Sequence, residues 1–285
     1  MSTGTVFSAE TVWTAYRLFA LALFGATIGS FLNVCAYRIP LGRSIVRPGS
    51  ACTACGTLIR WQHNIPVFSW LYLRGRCASC RTRISARYPL VEAGNALLWV
   101  LVGWRFGPTI GALVLLPFVS AMIVLFLTDL DHQLLPDRIT LPLAVAGLVV
   151  APWNARLDLG PWLFGSGTPL GRLVAALVGA VIGYGVFFTL ALAWRVLFDR
   201  EALGGGDLKM MLGVGAFLGA HGVLLTIFLA SLIGTLLSLP ALLSGRWRMT
   251  HVLPFGCFLA PAAVVAMFYA PEIIRWYLGL LVWPV

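Results

Sequence analysis

Two aspartates stand at the ends of long apolar runs. Asp129 follows the run 122–127 in Thr128-Asp129-Leu130-Asp131-His132, and Asp207 closes Gly204-Gly205-Gly206-Asp207 just before a second run. The chain has only ten acidic residues, so their placement is informative. Ionisable groups at a membrane edge are costly and are candidates for function. Two carboxylates brought together do not readily ionise together, which leaves one to activate water and one to donate a proton. The same pair could serve as a proton relay in a transporter. Either residue alone could also be a helix cap or an interfacial anchor. Asp131 and Asp137 read as such anchors, because Asp131 falls on nearly the opposite helical face from Asp129. The glycines before Asp207, Gly204 and Gly206 among them, permit a sharp turn and close backbone approach. Lys209 is placed to neutralise Asp207 or a neighbouring carboxylate.

A second group of residues has metal-ligand spacing. Cys52-Thr-Ala-Cys55 and Cys77-Ala-Ser-Cys80 are two Cys-x-x-Cys pairs within one polar segment. Two such knuckles can close a tetrahedral Zn²⁺ site, and four thiolates leave no open position for a catalytic water. The metal is therefore expected to be structural. The alternative, two disulfides, is disfavoured if the segment faces a reducing cytoplasm. Cys35 and Cys257 lie in apolar runs and read as small core residues.

The elements that must position these groups are helices in a membrane. Of 285 residues, 60% are hydrophobic and 11% charged, against about a quarter charged in a soluble domain. Apolar stretches of about 20 residues span a bilayer core as helices, since lipid offers the backbone no hydrogen-bond partner. The predicted fold is an all-α polytopic membrane protein with about eight transmembrane helices. They lie near residues 18–37, 89–104, 109–127, 139–150, 171–194, 208–220, 222–243 and 253–270. A small cytoplasmic zinc-binding domain lies between the first and second. This divides the chain into a first helix (1–37), a zinc-binding loop (38–88) and a transmembrane core (89–285). The start of the chain lacks a convincing signal cleavage site, so the first helix is expected to stay.

The net charge of +10 is no argument for nucleic acid. Nine arginines lie between Arg38 and Arg87 without one acidic residue, the pattern of a cytoplasmic loop beside anionic headgroups. With that loop inside, helix alternation puts Asp129 and Asp207 at one cytoplasmic depth. Residues 151–170, rich in Gly, Pro and Trp, read as an interfacial loop on the opposite side.

Several ordered motifs together carry a resemblance. They are Gly29-Ser30-Phe31-Leu32-Asn33-Val34 with Arg38 and Pro40, the two cysteine pairs, Arg87-Tyr88-Pro89-Leu90-Val91-Glu92, the stretch from Asp129 to Asp137, Gly204-x-Gly-Asp207 with Lys209, and Pro254-Phe255-Gly256. In this order the chain resembles the type IV prepilin peptidases, bifunctional membrane enzymes of type IV pilus and type II secretion systems. The resemblance implies that Asp129 and Asp207 are the catalytic aspartates of a bacterial inner-membrane endopeptidase. It implies cleavage after Gly of a short basic leader on prepilins or pseudopilins. It also implies N-methylation of the new N-terminal residue with S-adenosylmethionine, and contact with pilus or secretion machinery. The four cysteines look like those of the bifunctional form. Asn33, Arg38 and Glu92 are candidates for the methyl-donor site or the substrate path, and Gly204, Gly206, Lys209 and Asp131 for support of the aspartates. Cys35 and Cys257 depart from the residues usual in that family, and the loop 151–170 is longer. Two readings from other classes are a proton-coupled transporter with a zinc knuckle as scaffold, and a non-catalytic membrane scaffold.

Overall fold

The structure is a computed structural model that describes residues 9–154, 157, 168–199, 204–244 and 254–281. Most of the segment 151–170 and the basic residues Arg246 and Arg248 lie outside the described residues. The described chain is helical: α1 (Ala9–Arg38), α2 (Phe68–Tyr72), α3 (Arg87–Phe106), α4 (Ile110–His132), α5 (Asp137–Val150), α6 (Pro169–Phe198), α7 (Gly205–Leu243) and α8 (Gly256–Leu281). Among the described residues β-structure amounts to two isolated bridges, Ala51 with Leu58 and Arg76 with Arg83. The chain forms two compact units, Met1–Ile123 and Val124–Val285, with the boundary inside α4.

Five helices are long and apolar enough to cross a membrane: α1, α4, α6, α7 and α8. The chain is thus a multi-pass membrane protein, with five candidate spans among the described residues by length and composition. The remaining expected spans fall on elements of other length or composition. α5 has 14 residues, about 21 Å of helix against a core of about 30 Å. α3 carries Arg87, Glu92, Asn95 and Arg105 along its length. The expected spans 208–220 and 222–243 fall in one element, α7, whose 39 residues would make about 58 Å if straight. Gly219 interrupts it with φ 69° and ψ −175°, a conformation open to glycine alone at little cost.

In the first unit, α1 and α3 approach through small residues. A Cβ at Gly25 would lie 2.9 Å from the Ala96 Cα, and one at Gly29 would lie 2.7 Å from the Glu92 Cα. This closeness lets side chains reach backbone across the seam. Asn95 Nδ2 donates to the Gly25 carbonyl at 2.7 Å, Ser120 Oγ donates to Asn95 Oδ1 at 2.9 Å, and Trp99 Nε1 donates to Ser120 Oγ at 3.0 Å. Buried polar links of this kind hold apolar helices together where water offers no alternative partner.

In the second unit, α7 packs against α5, α6 and α8. The α6–α7 contact uses two G-x-x-x-G pairs, Gly179 with Gly183 and Gly215 with Gly219. A Cβ at Gly179 or Gly215 would strike the other residue's carbonyl, so the backbones touch as small-residue membrane crossings require. The break at Gly219 also frees carbonyls in the turn before it, and Asn154 Nδ2 donates to the Phe217 carbonyl at 2.9 Å. Thr168 caps α6 by accepting the Gly171 N–H at 3.0 Å.

Candidate active site and metal centre

Asp129 lies in the last turn of α4 and is only 5% exposed. Its Oδ2 accepts the backbone N–H of Cys257 at 2.8 Å. That N–H belongs to the first turn of α8, where unpaired amides and the helix dipole favour a negative group. Gly256 is the residue that allows the approach, since a Cβ there would sit 2.8 Å from Asp129 Oδ2. The chain reaches this turn through Pro254 and Phe255, with the Phe255 ring beside that of Phe187 in α6.

Asp207 lies in the first turn of α7, half-buried. Its N–H donates to the Gly204 carbonyl at 3.1 Å, and it is within electrostatic reach of Asp129. One side chain joins the two halves of the site. The buried Leu135 lies under Gly206, where a Cβ would meet its own Cβ at 2.8 Å, and under Gly256, where a Cβ would meet its Cδ2 at 3.1 Å. The Gly-x-Gly before Asp207 and the Gly after Phe255 thus close on the same leucine. Two carboxylates within reach of one water can act as base and acid.

The other acidic residues separate from this pair. Asp131 is exposed on the last turn of α4. Asp137 opens α5, and its two oxygens accept from Lys209 Nζ at 2.8 and 2.7 Å. Lys209 therefore neutralises Asp137 rather than Asp207 and ties α5 to α7. The sequence reading missed Cys257 as a site residue, because its contribution is a backbone N–H that carries no side-chain signature. The usable signal was Pro254-Phe255-Gly256 opening an apolar run, which marks a helix start.

The four paired cysteines converge. Their Sγ atoms all lie within 4.8 Å of one another, and Cys52 Sγ is 3.9 Å from Cys80 Sγ. A tetrahedron with Zn–S bonds of about 2.3 Å has edges of about 3.8 Å, whereas a disulfide needs about 2.05 Å. The cysteines are free thiols in a cluster that fits a metal. The two knuckles repeat one design. The Cys52 N–H donates to the Thr57 carbonyl at 3.0 Å and the Cys77 N–H to the Thr82 carbonyl at 2.9 Å. Gly56 and Arg81 occupy equivalent turn positions at φ 70° and 62°. Cys55 Sγ and Cys80 Sγ each lie 3.3 Å from a threonine hydroxyl, Thr57 and Thr82 respectively. Those hydroxyls hold the Cys55 thiol below its ordinary value and bring Cys80 down to about 6. Both shifts favour the thiolate that a metal requires.

Asn33, Arg38 and Glu92 gather in the first unit, away from the aspartates in sequence. Arg38 is spent on backbone: Nη1 donates to the Ser44 and Pro48 carbonyls at 3.1 and 2.8 Å, and Nη2 to Gly49 at 3.1 Å. Asn33 Nδ2 donates to the Tyr88 carbonyl at 3.2 Å. Glu92 Oε2 accepts the Val67 N–H at 2.6 Å, and Val67 has φ 63°, a strained state for a β-branched residue. All three line a cleft of about 1170 Å³. Small-molecule sites span about 300–1,000 Å³, so the cleft is large enough to admit a small ligand.

Residues 23–106 match the family described as bacterial peptidase A24 N-terminal domain, and residues 116–239 match the type IV leader peptidase family. The chain is 38% identical to a prepilin leader peptidase/N-methyltransferase of Pseudomonas putida, over 92% of this chain and 96% of that one. It is 35% identical to a protein of the same description from Aeromonas salmonicida, over 94% and 95%, and 36% identical to one from Pseudomonas aeruginosa, over 90% and 91%. No solved structure matches.

Proposed function

Because the chain belongs to the type IV leader peptidase family, we propose that it is a prepilin peptidase and N-methyltransferase whose hydrolytic pair is Asp129 and Asp207. In this reading the substrates are prepilins or pseudopilins of a pilus or secretion machinery. Cleavage follows the Gly of a short basic leader, at the cytoplasmic face of the bacterial inner membrane. The observation that carries it is the Asp129 carboxylate held by the Cys257 N–H at 2.8 Å, with Asp207 across Leu135.

Asp129, facing a helix N-terminus, holds the negative charge and takes a proton from the shared water. Asp207 holds a proton and gives it to the carbonyl oxygen of the scissile Gly as the hydroxide adds to carbon. The adduct then collapses, returning that proton to Asp207 as the C–N bond breaks, and Asp129 protonates the leaving amine. The pair ends in the protonation state in which it began, with one water consumed. Gly204 and Gly206 give Asp207 its approach, while Lys209 and Asp131 act outside the reacting pair.

The four cysteines, Cys52, Cys55, Cys77 and Cys80, hold a structural zinc. S-adenosylmethionine, when bound, supplies an electrophilic methyl group to the amine that cleavage exposes. Asn33, Arg38 and Glu92 shape the site that receives it, with Arg38 organising the loop 44–49. The test is cleavage of a prepilin in membranes by Asp129→Asn and Asp207→Asn. Each is expected to lose cleavage while the protein accumulates at its normal level. Normal cleavage by either variant would remove the dyad.

A further inference from the structure

The shortest helix, in the polar segment, carries its apolar residues outward. In α2 the spacing i, i+3, i+4 puts Phe68, Leu71 and Tyr72 on one face, and they are 68%, 58% and 82% exposed. The other face is occupied. Ser69 is buried, its Oγ donating to the Gln62 carbonyl at 3.1 Å and accepting the Ile65 N–H at 2.9 Å. Trp70 Nε1 donates to the Ile84 carbonyl at 3.1 Å. The Ser69–Gln62 bond also ties the turn Trp61–His63 to α2, and Trp61 is 80% exposed. Large apolar side chains gathered outside on one small folded segment mark a surface that meets another surface.

Depth and charge together identify that surface. The Val67 N–H just before α2 donates to Glu92 Oε2 at 2.6 Å. The Glu92 backbone in turn packs on Gly29 of α1, where a Cβ would lie 2.7 Å from the Glu92 Cα. Gly29 precedes Arg38, the end of α1, by about 13 Å along the helix. α2 is thus held beside a helix long and apolar enough to cross a membrane, not beyond its end. Residues 38–87 hold nine arginines and no acidic residue. Arg60, Arg74 and Arg76, which flank the apolar residues in sequence, are exposed. Aromatic and leucine side chains alongside arginines are the composition of a helix lying in a headgroup layer. An acidic protein partner would answer the charge but not the depth.

We propose that α2 is a membrane-interface anchor. Phe68, Leu71, Tyr72 and Trp61 enter the headgroup–acyl boundary of the leaflet on the Arg38 side, and Arg60, Arg74 and Arg76 meet the phosphates of anionic lipids. The anchor gives the cysteine-bearing segment an attachment to the membrane besides α1, and it does not depend on which reaction the chain catalyses.

The test puts the photo-crosslinker p-benzoylphenylalanine in place of Phe68, Tyr72 or Val46 in the full-length protein, reconstituted in phosphatidylcholine vesicles with or without phosphatidylglycerol. Val46 is also exposed, but its loop is bonded to Arg38 at the end of α1. Thermal melting checks that each variant is folded, and mass spectrometry reads the adducts. Lipid adducts are expected from positions 68 and 72 and not from 46, with a yield at least about threefold higher when phosphatidylglycerol is present. Arg60→Gln, Arg74→Gln and Arg76→Gln together should remove that difference. Crosslinks from positions 68 and 72 to protein alone, or no lipid adduct, would overturn the anchor. Equal yields in the two vesicles with all three arginines intact would overturn the part given to the arginines. If the variant at position 68 does not fold, position 72, at the exposed end of α2, decides.

Discussion

At the scale of single residues, Asp129 depends on a neighbour that has no side chain. Gly256→Ala would place a methyl group 2.8 Å from Asp129 Oδ2, inside the contact distance, so the carboxylate or the α8 turn must shift. A shift of about 1 Å in a catalytic group can cost about 100-fold in rate. Gly256→Ala is therefore expected to lower the rate of leader cleavage about 100-fold while the protein remains folded, read by single-turnover cleavage and thermal melting. A rate within a factor of two of the unaltered protein would show that the N–H contact does not matter. The aspartates and the cysteines were legible in sequence because their chemistry resides in side chains with diagnostic spacing. The Cys257 N–H was not, since any residue but proline supplies one. Lys209 was legible only as a cation near carboxylates, and choosing Asp137 over Asp207 required knowing how α5 and α7 meet.

At the scale of elements, the α6–α7 contact has no room for side chains. Gly215→Val puts bulk against the Gly179 carbonyl and should separate the two helices. α7 carries Asp207 in its first turn, so this change should abolish cleavage and also lower the melting temperature, unlike Gly256→Ala. Unchanged melting and activity would mean that the crossing is not tight in the membrane. The helices themselves were legible from continuous apolar runs. Their lengths were less legible, because α5 has 14 residues and α3 carries polar groups along its 20. The interruption of α7 was visible as a gap between two apolar runs, although its φ 69° glycine, Gly219, could not be singled out among several candidates.

At the scale of the whole molecule, the proposed activities divide between the two units. Asp129, Asp207, Leu135 and Cys257 all lie in Val124–Val285, while the cysteine cluster and its cleft lie in Met1–Ile123. A metal held by the four cysteines would close the knuckles that form part of the cleft wall, through Cys52 and Cys77. Cys52→Ser should therefore release the metal, at an expected stoichiometry of about one per chain, because a structural zinc site needs its four ligands. Donor binding should fall with it, and leader cleavage should keep the larger share of its rate. Metal analysis, donor dialysis and prepilin cleavage on one preparation check this. Cleavage lost in proportion to donor binding would reject the division.

The bond between Asp129 and Cys257 joins residues 128 positions apart in the chain. A ribosome makes residue 129 long before residue 257, so the emerging chain holds both aspartates while the helix that steadies one of them is still unmade. With Asp129 in the proposed hydrolytic pair, a protease assembled in that order is expected to stay silent throughout its own synthesis and insertion. A product that stops short of residue 254 is then expected to be inert toward its neighbours in the membrane, as cleavage by a chain truncated before α8 would check.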